Sequence, residues 1–244
     1  MTPRIFVGDQ VASLAAGGDY RLPPAAARHV AQALRMRSGD ALTLFTGNGG
    51  EYASTIAHVD RRDVVVRVVR YDPIEREGSH PVVLVQSLIA TDMMDFVVRK
   101  AVELGATAIV AVRAARSQGI ASERAERRVA HWRHIAIAAC EQCGRNRVPD
   151  VNGIVEFDAW IDEHADAHTV LLDADAERSL AASSRIDAPR AIAVGPEGGF
   201  APEEVQHAIA RDAIAVHLGH RVLRAETAAI AALATLDAIV GDAQ

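Results

Sequence analysis

Hydrophobic and polar positions follow two different rhythms along this chain. In the first part, apolar residues come in short β-like runs broken by Gly and Asp. Ala41 to Thr46 leads into Gly47-Asn48-Gly49-Gly50, and Glu51 to Ile56 follows. Two such runs around a Gly-rich turn predict a hairpin. A third run, Val64 to Val69, lies behind the polar turn Asp60-Arg61-Arg62-Asp63 and is rich in β-branched residues. Pro24 to Leu34 reads as one short helix. Together these elements predict a small barrel over residues 1–72. Residues 73–79 are polar, contain Pro73 and Gly78, and read as a linker.

From residue 80 the rhythm changes to strand and helix in turn. Val82 to Ile89 is an unbroken apolar strand. Thr91 or Asp92 can cap a helix reaching Leu104, with Met93, Phe96, Val97, Ala101 and Leu104 on one face and Gly105 as its stop. Ala108 to Val112 is the next strand, and Ser122 can cap a long helix to about Gln142, closed by Gly144. Thr169 to Leu172, Ala191 to Val194 and Ile214 to Leu218 are further strands. Pro202, with Glu203 and Glu204, suits a first helical turn, and Ala225 to Val240 is an Ala-rich final helix. Apolar, non-alternating strands between helices predict an α/β domain with a mainly parallel sheet over residues 80–244.

Composition narrows the function classes. With 244 residues, half of them hydrophobic, the chain can bury one large core or two smaller ones. No apolar run is long enough to span a membrane, and Met1 to Gln10 lacks the pattern of a secretory signal. The only cysteines are Cys140 and Cys143, so no disulfide framework is expected and the expected address is cytoplasmic. A net charge of −6 argues against coating nucleic acid indiscriminately, although local basic sites remain, such as Arg35/Arg37, Arg61/Arg62, Arg113/Arg116 and Arg145/Arg147. His131, His134, Cys140 and Cys143 share one predicted helix. At roughly 100° per residue the two His lie opposite the two Cys, so no metal site is expected. Asp173-x-Asp175 reads as a solvated loop.

The informative part is three loops that leave the carboxyl ends of strands, where open α/β sheets bind ligands. One starts at Asp173, after Leu172. The second is Gly195-Pro196-Glu197-Gly198-Gly199-Phe200. The third is Leu218-Gly219-His220-Arg221-Val222-Leu223-Arg224-Ala225-Glu226-Thr227. The glycines let the backbone bend tightly and approach a ligand. Their spacing is not that of a dinucleotide fold, and neither a Walker loop nor a nucleophile elbow is present.

Gly195-Pro196-Glu197-Gly198-Gly199 and Leu218-Gly219 to Arg221-Val222-Leu223-Arg224-x-Glu226-Thr227-Ala228 resemble the cofactor loops of the RsmE family. These are the bacterial 16S ribosomal RNA uracil-N3 methyltransferases of the SPOUT superfamily. The resemblance extends to Ile135-Ala136, to Ala138 through Pro149, to Arg4-Ile5-Phe6, to His29-Val30 and to Leu34-Arg35, so it covers essentially the whole chain. It implies an N-terminal PUA-like β-barrel, a C-terminal trefoil-knot domain, S-adenosylmethionine as methyl donor, 16S ribosomal RNA in the small subunit as substrate, and a homodimer. Two departures stand out: the family often carries Lys and Glu where this chain has Thr91 to Asp95, and an acidic residue where Ala115 precedes Arg116-Ser117.

The chemistry implied by the resemblance assigns roles. Uracil N3 must lose its proton, and negative charge then spreads onto the flanking carbonyl oxygens. Arg224 is expected to stabilise that charge, and Glu197 or Glu226 to take the proton. Glu226 has an equally good reading as a helix N-terminal charge. Leu172, Gly195, Pro196, Glu197, Gly198, Gly199, Leu218, Gly219, Val222, Leu223, Thr227 and Ala228 are expected around the cofactor. Arg4, Arg35, Arg145, Asn146 and Arg147 are expected to contact RNA. Other readings are methylation of a ribose 2′-hydroxyl or a guanine, or RNA binding without catalysis.

Overall fold

The computed structural model describes residues 2–8, 14–61, 63–119, 122–183 and 189–241. These residues fall into two units, one of residues 1–77 with 140–148, the other of 78–139 with 149–244.

The first unit is built on β1 (Arg4–Phe6), β2 (Asp19–Arg21), α1 (Pro24–Arg28), β3 (Ala41–Phe45), β4 (Glu51–Val59) and β5 (Val64–Asp72). The strands form one sheet in the order β1-β3-β4-β5-β2, parallel between β1 and β3 and antiparallel elsewhere. The expected hairpin is β3–β4, with Leu42 opposite Ser54 and Leu44 opposite Tyr52. Alternate residues Tyr52, Ser54 and Ile56 of β4, and Val64, Val66 and Val68 of β5, are buried. They close over Ile5, Leu42, Leu44 and Val30, so the period-2 pattern becomes one apolar face. The helix expected from Pro24 to Leu34 divides into α1 and a wider π-type turn, His29–Ala33. In the turn after β4, Asp60 N–H donates to Asp63 O; Arg62 lies outside the described residues.

The second unit contains β6 (Val83–Ser87), α2 (Thr91–Glu103), β7 (Ala108–Arg113), α3 (Ser122–Cys143), β8 (Asp150–Glu156), α4 (Phe157–His164), β9 (Thr169–Leu172), α5 (Leu180–Ser183), β10 (Ala191–Val194), α6 (Pro202–Ala210), β11 (Ile214–Val216) and α7 (Ala225–Leu236). The last four residues of α3 belong with the first unit. All six strands are parallel, in the order β11-β9-β10-β6-β7-β8. The central β10 is buried at every position, as a strand covered on both faces must be. On one face Val85, Val110, Leu171 and Ala193 pack with α4 and α6, where the Phe157 and Phe200 rings stack at 4.4 Å. α2 and α7 pack against each other. Neither Thr91 nor Asp92 caps α2: its N-cap is Ala90, without a side-chain bond. Among the described residues, no helix is long and apolar enough to cross a membrane.

Candidate functional site

Parallel alignment brings the carboxyl ends of β9, β10 and β11 side by side, and their three loops enclose an open cleft. Leu172, Asp173 and Ala174 come from the first loop, and Val194 to Glu197 with Gly199 from the second. Val216 to Gly219, Arg221 to Leu223, and Ala225 and Ala228 of α7 complete it.

The second loop owes its shape to its glycines. A Cβ on Gly195 would lie 2.9 Å from Phe200 N, so only glycine fits there. Gly199 takes φ +68° and donates its N–H to Pro196 O at 2.9 Å, which closes a turn. The N–H groups of Glu197 and Gly198 have no partner among the described residues. The third loop is pinned at His217. Its N–H donates to Arg178 O at 2.8 Å, its carbonyl accepts from Leu180 N at 3.0 Å, and its Nδ1 accepts from Gly219 N at 2.9 Å. Leu172, Val194, Leu218, Val222 and Leu223 supply apolar walls. Val222 is 87% exposed, so this wall is unfilled by the chain itself. Apolar walls with free main-chain donors fit an adenine nucleoside: the walls take its faces and the donors its edge.

The expected cofactor residues largely converge. Leu172, Gly195, Pro196, Glu197, Gly199, Leu218, Gly219, Val222, Leu223 and Ala228 line the cleft, while Gly198 and Thr227 do not. Asp173, His217 and Arg221 line it without having been singled out. Asp173 and Arg221 lie within the loops read from the sequence. His217 is the last residue before the third loop, and nothing in its pattern marked it.

The proposed catalytic groups differ in setting. Glu197 Oε1 accepts from Ala90 N at 3.2 Å and from Gln118 Nε2 at 3.1 Å, leaving Oε2 without a partner among the described residues. Arg224 is the N-cap of α7 in extended backbone, exposed and not among the cleft residues, and its guanidinium pairs with no described residue, Glu226 included. Glu226 sits half-buried in the first turn of α7 and is not among the cleft residues.

The residues expected on RNA divide sharply. Arg145 is buried, its side chain 4% exposed, and its Nε and Nη2 donate to Glu77 at 3.0 and 2.5 Å. Arg4 donates to Glu51 and to Asn146 Oδ1 at 2.5 Å each, and Asn146 Nδ2 donates to Ile74 O at 2.7 Å. Thus Arg4, Arg145 and Asn146 are spent inside the first unit, where they fasten residues 140–148 to it. The physical reason is that the fold brings Glu51 and Glu77 beside them, and these supply the carboxylates that the buried Arg4 and Arg145 guanidinium groups need. Arg76 completes the cluster at 2.9 Å from Glu51. Burial pushes the Glu51 carboxyl up, but hydrogen bonds and charge from Arg76 and Arg4 outweigh it and hold it at about 2. Arg147 remains more than half exposed, 3.6 Å from Glu75. Arg35 is exposed, in left-handed backbone at φ 53°, with no described partner. Burial pushes the Cys140 thiol up to about 12, so it stays protonated at neutral pH, and it donates to Arg147 O.

Comparison with known proteins agrees with this geometry. Residues 76–237 match the family model of an RNA methyltransferase domain, and residues 22–69 that of an RNA methyltransferase PUA domain. The chain is 31% identical over 212 residues to ribosomal RNA small subunit methyltransferase E of Mycobacterium bovis, covering 84% of this chain and 80% of that protein. The structure of ribosomal RNA small subunit methyltransferase E from Neisseria gonorrhoeae bound to S-adenosylmethionine superposes with a TM-score of 0.92, at 32% identity and full coverage of both chains. A Legionella pneumophila protein described as a methyltransferase, in complex with the same cofactor, gives 0.91 at 33% identity over 98% of each chain.

Proposed function

Because the chain belongs to the RNA methyltransferase family of ribosomal RNA small subunit methyltransferase E, we propose that it methylates N3 of one uridine in 16S ribosomal RNA of the small subunit. The observation that carries this reading is the cleft itself: an apolar slot with free main-chain donors at the carboxyl ends of β9, β10 and β11.

S-adenosylmethionine supplies an electrophilic methyl group on a sulfonium. The chain must hold the donor, exclude water, and manage one proton and one developing charge. Leu172, Leu218, Val222 and Leu223 wall the adenine, and the Glu197 N–H reads its edge. Glu197 takes the N3 proton at Oε2, since Oε1 is already fixed by two N–H donors. That leaves Glu226 as a charge favouring the positive end of α7. Arg224 carries an unpaired guanidinium and stabilises negative charge on the uracil carbonyl oxygens. Arg35 and Arg147 contact RNA phosphate from the first unit, and Arg4, Arg145 and Asn146 hold that unit together. Residues 1–72 capture the substrate, residues 80–244 perform the chemistry, and the enzyme works in the cytoplasm as a homodimer.

The test is transfer of labelled methyl from S-adenosylmethionine to small ribosomal subunits from a strain lacking this enzyme. Label in 16S RNA of small subunits, and none in large subunits, is expected. Tight RNA binding without transfer would overturn the reading in favour of a non-catalytic role.

A further inference from the structure

The loop after β7 carries a group that the proposed chemistry does not use. Arg116 extends from it and donates from Nη1 to Gly198 O at 2.8 Å and to Phe200 O at 3.4 Å. The backbone that presents Arg116 is itself fixed on both sides. Ala115 N donates to Glu204 Oε1 at 2.7 Å, Ala114 N to Ser117 Oγ at 2.9 Å, and Gln118 N to Leu88 O at 3.2 Å. Glu204 is 7% exposed, and its Oε2 accepts from Ala201 N at 2.7 Å, so one carboxylate ties this loop to the start of α6.

The glycine loop is held at Glu197 and Phe200 by their side chains, and its main chain has few bonds of its own. Its one internal main-chain bond is Gly199 N to Pro196 O. Pro196 and Phe200 are buried at its ends and the Glu197 side chain is tied to Ala90 N and Gln118 Nε2, but the exposed main chain at Gly198 is held from outside by Arg116. Peptide units are rigid planes, so fixing Gly198 O and Phe200 O also fixes the planes that carry the Gly199 and Ala201 N–H groups, and with them the path of the loop.

We propose that Arg116 is a positioning residue for the methyl donor: by gripping the Gly198 and Phe200 carbonyls it holds the path of the loop whose Glu197 and Gly199 line the cleft. Arg116 acts through the loop and touches neither donor nor base. The inference rests on the cleft being the S-adenosylmethionine site. Because Arg116 is exposed and its two partners are uncharged carbonyls, its loss leaves no buried charge. The effect belongs in ligand binding rather than in folding.

The experiment compares full-length wild type with Arg116→Ala, Arg116→Met and Arg116→Lys. Met keeps an aliphatic stem near Gly198, where a Cβ would lie 3.5 Å from Arg116 Cδ, and so isolates the guanidinium. S-adenosylmethionine affinity is measured by calorimetry, stability by thermal melting, and single-turnover methylation of small subunits at saturating donor. A charge-assisted hydrogen bond contributes enough that Ala and Met should bind the donor about ten- to a hundredfold more weakly. Lys should fall between them and wild type, because it keeps the charge without the planar fork. The melting temperature and the saturated single-turnover rate should stay close to wild type. Unchanged donor affinity in Ala and Met overturns the inference, whether or not melting falls. A collapsed single-turnover rate at saturation with unchanged affinity also overturns it, since that would put Arg116 at the reacting atoms. Wild type that binds no S-adenosylmethionine would instead bring down the proposed function, and the two failures are separately visible.

Discussion

Gly195→Ala adds a single methyl where the backbone of the cleft folds back on itself. The new Cβ would lie 2.9 Å from Phe200 N, 3.1 Å from Gly199 C and 3.2 Å from Gly199 Cα. All three are main-chain atoms of the same loop, so no flexible side chain can swing aside to make room. Relief requires the turn closed by Gly199 N and Pro196 O to open, and that displaces the free N–H groups of Glu197 and Gly198. Forcing one methyl into a tightly packed place costs about 1–3 kcal/mol. The same displacement spent on ligand contacts corresponds to about ten- to a hundredfold weaker S-adenosylmethionine binding. Gly198→Ala is the paired control. Its Cβ would meet only Arg116 Cδ at 3.5 Å and Cβ at 3.8 Å, which is ordinary contact, so binding should stay near wild type. Calorimetric titration of both variants, with melting curves alongside, reads the difference. Gly195→Ala binding within a factor of about two of wild type, less than half a kcal/mol, would refute the argument that this loop's path makes the site.

Arg224→Ala should lower the single-turnover rate by about a hundredfold or more, as loss of one oxyanion-type donor does; melting and donor affinity should barely move because Arg224 has no described partner. Normal single-turnover chemistry would remove it from the mechanism. Arg145→Ala strands the Glu77 carboxylate, whose side chain is 18% exposed, and should cost about 3–5 kcal/mol in denaturant unfolding. A loss under about 1 kcal/mol would show the pair to be no more than an exposed one. Glu51 has a folded pKa near 2 against an ordinary 4.5, so it contributes stability above the higher value that is lost as pH falls towards the lower one. Allowing for partial screening, this is roughly 2 kcal/mol. Glu51→Gln should therefore flatten the acid limb of the stability curve over that window, and parallel limbs for the two proteins would contradict the assignment.

Much of the architecture could be read from hydrophobic period alone. Thr169–Leu172 and Ala191–Val194 have the bounds their apolar runs suggest, because buried parallel strands need no polar alternation. What escaped reading was weakly patterned. β8 runs Asp-Val-Asn-Gly-Ile-Val-Glu at the edge of the sheet, and only Val151 in it is buried. Edge strands face water on one flank, so their sequence carries little signal. α4 follows directly with no Ser, Thr, Asn or Asp at its cap. β1 and β2 are three residues each, too short for a period to show. Main-chain loop glycines marked the cleft well, because tight turns restrict residue type. The arginines were harder. Arg4 and Arg145 look like any basic surface residue until Glu51 and Glu77, distant in sequence, are seen beside them. Pairing over such separations leaves no local trace.

The central claim is that this cleft serves methylation of uridine at N3, and the nucleoside composition of the product tests it most directly. Small subunits from a strain lacking the enzyme are treated with the full-length protein and S-adenosylmethionine. Their 16S RNA is then digested to nucleosides and analysed by mass spectrometry against standards. The account predicts the appearance of one 3-methyluridine per 16S molecule, dependent on the donor and greatly slowed by Arg224→Ala. A ribose-methylated nucleoside, a methylguanosine, or no new methylated nucleoside would contradict it.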